Sequence, residues 1–171
     1  GICEGLRKLS VDISVKIFKM RGNDASKARG IIEHHCAGRY DKVIVLKDFD
    51  KYRQFEEKLA KALSESGLGE LRWKVLPVRR SIESWLMADC GRAVKEAYGV
   101  SVNAPKDVEE GVASSSEAKE LLWGELRRRV GVEPSEEAAA KIAKMLDLKE
   151  AAKRSPTLRE FLAELGWRPR S

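Results

Sequence analysis

Hydrophobic and polar residues alternate along positions 11–20, which is the pattern of a strand with one buried face. The positions predicted to point inward are Val11, Ile13, Val15 and Ile17. A turn then leads into a helix predicted for 25–35, with Asn23 or Asp24 as its cap. His34 and His35 fall in the last turn of that helix. A positive charge suits the helix dipole there, whereas two neighbouring helical residues point in different directions and cannot share one metal ion.

A second segment, Val43–Leu46, is continuously apolar and rich in β-branched residues, which is typical of a strand buried on both faces of a parallel sheet. Asp48 and Asp50 follow it. Side chains two positions apart on a strand share a side, so both carboxylates are expected to meet at the carboxyl end of the strand, where ligands bind in open α/β sheets. Two interpretations stay open: a Mg²⁺ site, or one helix cap beside one solvated carboxylate.

Helices and strands continue to alternate in the next part of the chain. A helix is predicted for 54–66 and a strand for 70–78. Another helix is predicted from the cap Ser81 to about Tyr98, with its apolar stripe inward and Asp89 in solvent. The residues of that stripe are Ile82, Trp85, Leu86 and Ala93.

The C-terminal part changes in character. Residues 101–116 contain proline, glycine and three consecutive serines, and are predicted to form a linker or a ligand-facing loop. From Glu117 onward the spacing is helical, and Ser155 with Pro156 marks a capped helix start. The order of elements predicts an α/β protein: a mostly parallel four-stranded sheet flanked by helices in residues 1–100, and a helical C-terminal extension in 101–171 packed on it.

Charge adds an expectation about partners. The chain has 33 Lys and Arg against 27 Asp and Glu, a net charge of +6 and a pI near 9.3. This excess favours a polyanionic partner such as nucleic acid, although an ion-pair network of a heat-adapted surface gives a similar composition. No apolar segment approaches the length of a membrane span and no signal peptide opens the chain, so we expect a cytoplasmic protein that does not bind membranes. The oligomeric state is not predictable from these features.

Several common motifs are missing from the sequence. It contains no phosphate-binding loop ending in Lys-Ser/Thr, no dinucleotide fingerprint, no His-Glu-x-x-His and no Gly-x-Ser-x-Gly. What remains is a group of acids on a basic chain, which suits metal-dependent phosphodiester chemistry. The cations that flank these acids are candidates for contacts to a nucleic-acid backbone, with plain surface solvation as the alternative. They are Lys47, Lys51, Arg79 and Arg80.

Short segments along the chain resemble a known family. Glu4-Gly5 is similar to the Glu-Gly that closes the first strand of Toprim domains, and Asp48-Phe49-Asp50 to their Asp-x-Asp. The stretch Ile82–Asp89 resembles a signature of the Toprim-like family DUF4276, which is related to the Toprim domains of OLD-type nucleases. Pro105-Lys106 and Ser155–Phe161 follow the C-terminal pattern of that family.

The resemblance implies a Toprim fold and a nuclease-like activity on DNA or RNA, with a place in defence against phage beside an ATPase partner. It implies Glu4 as general acid or base, Asp48 and Asp50 as ligands of Mg²⁺ or Mn²⁺, and Glu83 as an accessory acid. Only three residues precede Glu4, so the first unit is either incomplete or degenerate. Two other possibilities therefore stay open: a non-catalytic adaptor or regulator that binds a partner protein, and simple charge-driven binding of nucleic acid.

Overall fold

The computed structural model describes residues 14–18, 20, 24–68 and 70–167, without the side chain of Lys51. The chain is an α/β protein with about 55% helix and a small open sheet of two parallel strands. Its contacts divide it into two compact units, one spanning Lys16–Pro77 and one that contains the chain from Val78 onward. The predicted boundary between residues 100 and 101 stays a prediction.

The Lys16–Pro77 unit contains the sheet and two helical segments. In chain order its elements are helix α1 (Ala25–Ile31), which continues as a π-helical turn (Ile32–Cys36), strand β1 (Val43–Asp48), a 3₁₀ turn (Phe49–Lys51), helix α2 (Tyr52–Glu65) and strand β2 (Trp73–Val78), whose last residue already belongs to the other unit.

The other unit is helical. Its elements are α3 (Ile82–Leu86), α4 (Arg92–Tyr98), α5 (Ser115–Lys119), a π-helical turn (Glu120–Gly124), α6 (Glu125–Val130), α7 (Glu136–Met145), α8 (Leu148–Arg154) and α9 (Pro156–Glu164).

Helices α1 and α2 form as the sequence predicts. The Asp24 carboxylate accepts a hydrogen bond from the Ser26 amide at 2.8 Å, which is the expected cap. The apolar positions of the two helices recur every three or four residues and meet in one core. That core contains Ala25, Ala28, Ile32, Cys36, Phe55, Leu59, Leu63 and Val75. His34 and His35 lie in the last turn of the first helical segment, as predicted.

The strand predicted for 11–20 is wrong over the described residues of that range. Residues 14–18 and 20 belong to no strand, and Val15 and Ile17 are exposed, Ile17 to 76%. Alternation of apolar and polar residues indicates which side chains could share a face. A strand also needs a neighbouring backbone with which it can form hydrogen bonds. In the described part of the chain the sheet contains β1 and β2 alone.

Strand β1 is less buried than its apolar sequence predicts. Val43, Ile44 and Val45 are half-buried, Leu46 is exposed, and the charged Lys47 is buried instead. A continuous apolar run is buried on both faces only where layers cover both faces of the sheet. Only one other strand is paired with β1 in the described residues, and that is why the prediction of a fully buried central strand is wrong.

The helix predicted from Ser81 to Tyr98 is two short helices, α3 and α4, joined by a turn over residues 87–91. Cys90 and Gly91 both have positive φ, 62° and 71°, and a right-handed helix cannot continue through such residues. Ile82 is exposed, against prediction, while Trp85, Leu86 and Ala93 are buried as expected.

Residues 100–114 form no helix or strand, but they are packed rather than linker-like. Val102, Val108 and Val112 are buried, and so is Glu109. The helices after residue 114 match the predicted spacing, and the Ser155 hydroxyl caps α9 by accepting a hydrogen bond from the Leu158 amide at 3.1 Å. Among the described residues, no helix combines the length and apolarity that a membrane span requires.

Candidate functional site

Asp48 and Asp50 lie where β1 ends and the 3₁₀ turn begins. Asp48 is the last strand residue, whereas Asp50 belongs to the turn, so the strand alternation that predicts a shared side does not extend to Asp50. Both carboxylates are exposed, and neither forms an ion pair or a hydrogen bond with a residue that the structure describes. Asp48 does not cap the turn with its side chain, so the cap interpretation fails for it. Both carboxylates remain available as oxygen ligands.

An aromatic pair flanks these acids. Phe49, between the two aspartates, is exposed, and its ring centroid lies 5.8 Å from that of Tyr52. Arg53 donates from Nε to the Tyr52 hydroxyl at 3.3 Å. The carboxyl end of β1 therefore carries acidic, aromatic and cationic groups within six residues.

Lys47 is not placed as a surface cation. Its side chain is 5% exposed, and Nζ lies 5.0 Å from the centre of the Phe55 ring. An ammonium over an aromatic face is stabilised by the ring quadrupole. A ligand would reach this group only if the side chain moved. The side chain of Lys51 lies outside the described part of the structure.

Arg79 and Arg80 hold the packed loop in place. Arg79 pairs with the Glu110 carboxylate, and Arg80 donates from Nε to the Glu109 carbonyl oxygen at 3.3 Å. Arg80 also has a φ of 67°, which is strained for a residue with a side chain. Both arginines are half-buried, so each presents part of its side chain to solvent while it makes these bonds.

Glu83 is 8% exposed and is committed to packing within the helical unit. Its Oε1 accepts a hydrogen bond from the Trp123 indole at 2.9 Å, while Oε2 is buried and has no partner among the described residues. The resemblance implies that Glu83 is an accessory metal ligand. The hydrogen bond from Trp123 competes with that role.

Trp85 and Asp89, two other members of the Ile82–Asp89 stretch, also bond to distant parts of the helical unit. Trp85 donates to the Thr157 hydroxyl at 2.9 Å and stacks on Phe161 with ring centroids 5.3 Å apart. Asp89, predicted to be solvated, is buried and accepts hydrogen bonds from the amides of Ala93 at 3.1 Å and Asp147 at 3.4 Å. Burial raises the pKa of Asp89, and these bonds oppose the rise without cancelling it. The stretch thus connects parts of this unit that are far apart in the sequence.

Glu109 is a buried carboxylate in a segment for which the sequence predicts a linker or a ligand-facing loop. It is 1% exposed, and its Oε1 accepts hydrogen bonds from both hydroxyls of Ser155 and Thr157 and from the Thr157 amide at 3.2 Å. The carboxylate thereby satisfies donors in the first turn of α9. The valines spaced through 100–112 were the available signal that this loop is packed.

An open groove of about 460 Å³ lies on the helical unit, and Glu83 and Trp123 line it. Two cations, Lys119 and Arg127, also face the groove, together with Glu120 and Gly124. Arg127 forms a bidentate pair with Glu133, at 2.8 and 2.9 Å, so its charge is partly neutralised. No sequence motif marks this groove, because its residues come from α3, from a π-helical turn 40 positions later and from the segments on either side of that turn.

The described residues contain no group of three or more His, Cys, Asp or Glu side chains placed to hold one metal ion. Glu4, the predicted general acid or base, lies outside the described residues. Its role and that of the Asp48–Asp50 pair stay predictions. Comparison of the chain with protein-family models, with curated proteins and with solved structures found no match.

Proposed function

We propose that the chain is a Mg²⁺-dependent nuclease, or a nuclease-like phosphodiester-transfer protein, acting on DNA or RNA on a Toprim-like scaffold. The observation that carries this proposal is the exposure of Asp48 and Asp50, both without a described partner, at the carboxyl end of a parallel strand. Exposed carboxylates without a protein partner are, on most surfaces, simply solvated. Here their position matches the edge at which α/β sheets bind ligands.

The donor set fits a hard divalent cation. Mg²⁺ is held in proteins by one or two carboxylates together with waters and substrate phosphates, and the two exposed carboxylates, which have no partner among the described residues, meet that requirement. A cation bound there would neutralise phosphate charge and orient a water molecule. In this proposal Asp48 and Asp50 hold the cation, and the net charge of +6 draws the nucleic acid to the protein. Mn²⁺ would serve in the same way.

Glu83 does not fit the metal site as well as the two aspartates do. Its bond to Trp123 and its burial engage it in the helical unit. That observation favours a second candidate: a non-catalytic Toprim-like adaptor or regulator, which keeps the scaffold and binds a partner protein such as an ATPase, or nucleic acid. Either candidate is compatible with a role in defence against phage.

A cleavage assay separates the two candidates. Labelled single- and double-stranded DNA and RNA are incubated with the protein and Mg²⁺ or Mn²⁺, in parallel with the variant Asp48→Asn/Asp50→Asn. The nuclease proposal predicts cleavage that EDTA abolishes and that the variant lacks. The adaptor alternative predicts no metal-dependent cleavage by either protein.

A matched control removes two other exposed acids from the same unit. Asp41→Asn/Glu70→Gln changes the net charge by the same amount and leaves the carboxyl end of β1 intact. It should cleave like the unmodified chain. Equal cleavage by the Asp48→Asn/Asp50→Asn variant would identify a contaminating enzyme and remove the basis for the proposal.

A further inference from the structure

Glu83 is a buried carboxylate with only half of its hydrogen-bonding capacity used. Oε1 accepts from the Trp123 indole, but Oε2 has no donor in the described structure. A buried polar atom without a partner is costly, and in native proteins such an atom calls for a bound group or a functional role. Glu109 also has one unpaired oxygen, but it lies among α9 residues, whereas Glu83 lines the groove.

The groove around Glu83 is open to solvent and large enough for a small molecule. Its volume of about 460 Å³ falls within the range of small-molecule pockets, about 300–1,000 Å³. One wall is the π-helical turn Glu120–Gly124, and such turns occur frequently at functional sites. Lys119 stands at this turn, and no residue in the described range forms an ion pair with it. A buried acceptor and an available cation thus face one groove.

These groups define what a ligand must offer. Oε2 requires an N–H or O–H donor, and Lys119 together with Arg127 favours an anionic group on the same molecule. A basic peptide would satisfy Glu83 and would also meet Glu120, but Lys119, which has no ion-pair partner in the described range, would repel it. A nucleotide carries both an N–H edge and a phosphate.

We propose that this groove binds a guanine nucleotide, with the Watson–Crick edge of the base on Glu83, whose side chain must move to expose the buried Oε2, and the phosphate near Lys119. Guanine presents two adjacent donors on that edge, N1–H and the N2 amino group, and a carboxylate accepts from both because each oxygen has two lone pairs. Adenine and cytosine place an acceptor beside their single amino donor, and uracil and thymine place one donor between two acceptors. The carboxylate therefore selects guanine.

This inference extends the proposed function, because it names a base that the nucleic-acid partner would present, but it does not depend on the metal. Binding of GMP, AMP, CMP and UMP is measured by isothermal titration calorimetry in EDTA. We expect GMP to bind at least about tenfold more tightly than the others, since a bidentate base contact discriminates by that order. Single-stranded oligonucleotides with one central guanine or adenine then show whether the groove takes the base from a strand or only as a free nucleotide.

The variant Glu83→Gln tests the contact without removing the packing. The amide oxygen of Gln can still accept from Trp123, whereas its amino group faces the donors of guanine. We expect the preference for GMP over AMP to disappear while the variant keeps the circular-dichroism spectrum of the folded chain, and the exposed Glu96→Gln to retain the preference. Lys119→Ala should weaken GMP binding and leave guanosine binding unchanged.

Equal affinity for GMP and AMP, no binding of GMP at millimolar concentration, or a preference that survives Glu83→Gln would each overturn the inference. Because no metal is present, a failed cleavage assay leaves this result untouched. A failure of guanine binding likewise leaves the cleavage experiment on Asp48 and Asp50 intact.

Discussion

The carboxylate of Glu83 accepts a hydrogen bond from the indole of Trp123, 40 positions later in the chain, at 2.9 Å. This bond joins α3 to the π-helical turn Glu120–Gly124, and both partners are almost fully buried. Hydrogen bonds to buried charged groups are stronger than neutral ones, and their loss leaves a charge without compensation. The pair therefore stabilises the unit in addition to shaping the groove.

Replacing Trp123 by Phe should lower the free energy of unfolding by about 1–3 kcal/mol beyond the loss of ring volume, since Glu83 is left without a described donor. Urea unfolding measures the change. Trp167→Phe is the matched control, because Trp167 is also 6% exposed and its indole donates to no residue within the described ranges. Equal losses in the two variants would show that the bond adds nothing to stability.

Asp89 gives the helical unit a characteristic dependence on pH. Burial raises its pKa above the usual 3.8, so the folded chain binds this proton more readily than the unfolded chain does. Stability from this group is therefore present at low pH and falls as pH rises through the folded pKa. Thermal unfolding between about pH 4 and 7 should show a steeper loss for the unmodified chain than for Asp89→Asn.

Asn retains an acceptor for the Ala93 amide, so Asp89→Asn should fold normally. The pKa of Asp147 shifts in the opposite direction and is lowered. Desolvation alone would raise its pKa, but hydrogen bonds from the Glu150 amide and Arg92 lower it, and its stabilising effect is lost only below its usual range. Identical slopes for the two proteins would contradict a raised pKa at Asp89.

Arg80 offers a test of backbone strain. Its φ of 67° is unfavourable for any residue with a Cβ and is free of penalty for glycine. Arg80→Gly and Arg80→Ala both lose the bond to the Glu109 carbonyl, so the difference between them isolates the strain. We expect Arg80→Gly to be more stable by about 1 kcal/mol in chemical denaturation. If the alanine variant is equal or better, residue 80 does not have this conformation.

What the sequence predicts well in this chain is local. Asp24 before α1 and Ser155 before α9 cap their helices as expected, because capping involves residues two or three positions apart. The apolar spacing of α1 and α2 predicts their shared core for the same reason.

What the sequence misses depends on distant partners. The amides that donate hydrogen bonds to Asp89 belong to Ala93 and to Asp147, which is 58 positions away. No residue near Asp89 in the sequence indicates the second bond. Residues 14–18 have the alternation of a strand but lack strand pairing in the structure. At the candidate site, exposed acids after β1 were predictable, but the strand ends at Asp48, two residues before Asp50, which lies in the 3₁₀ turn.

The central claim is that Asp48 and Asp50 together bind a divalent cation. Titration with Mn²⁺, followed by electron paramagnetic resonance, measures that binding without any assumption about substrate. We predict one ion per chain, displaced by Mg²⁺, that Asp41→Asn/Glu70→Gln retains and Asp48→Asn/Asp50→Asn loses. Binding that is equal in both variants, or undetectable in the unmodified chain at millimolar Mn²⁺, would contradict the account.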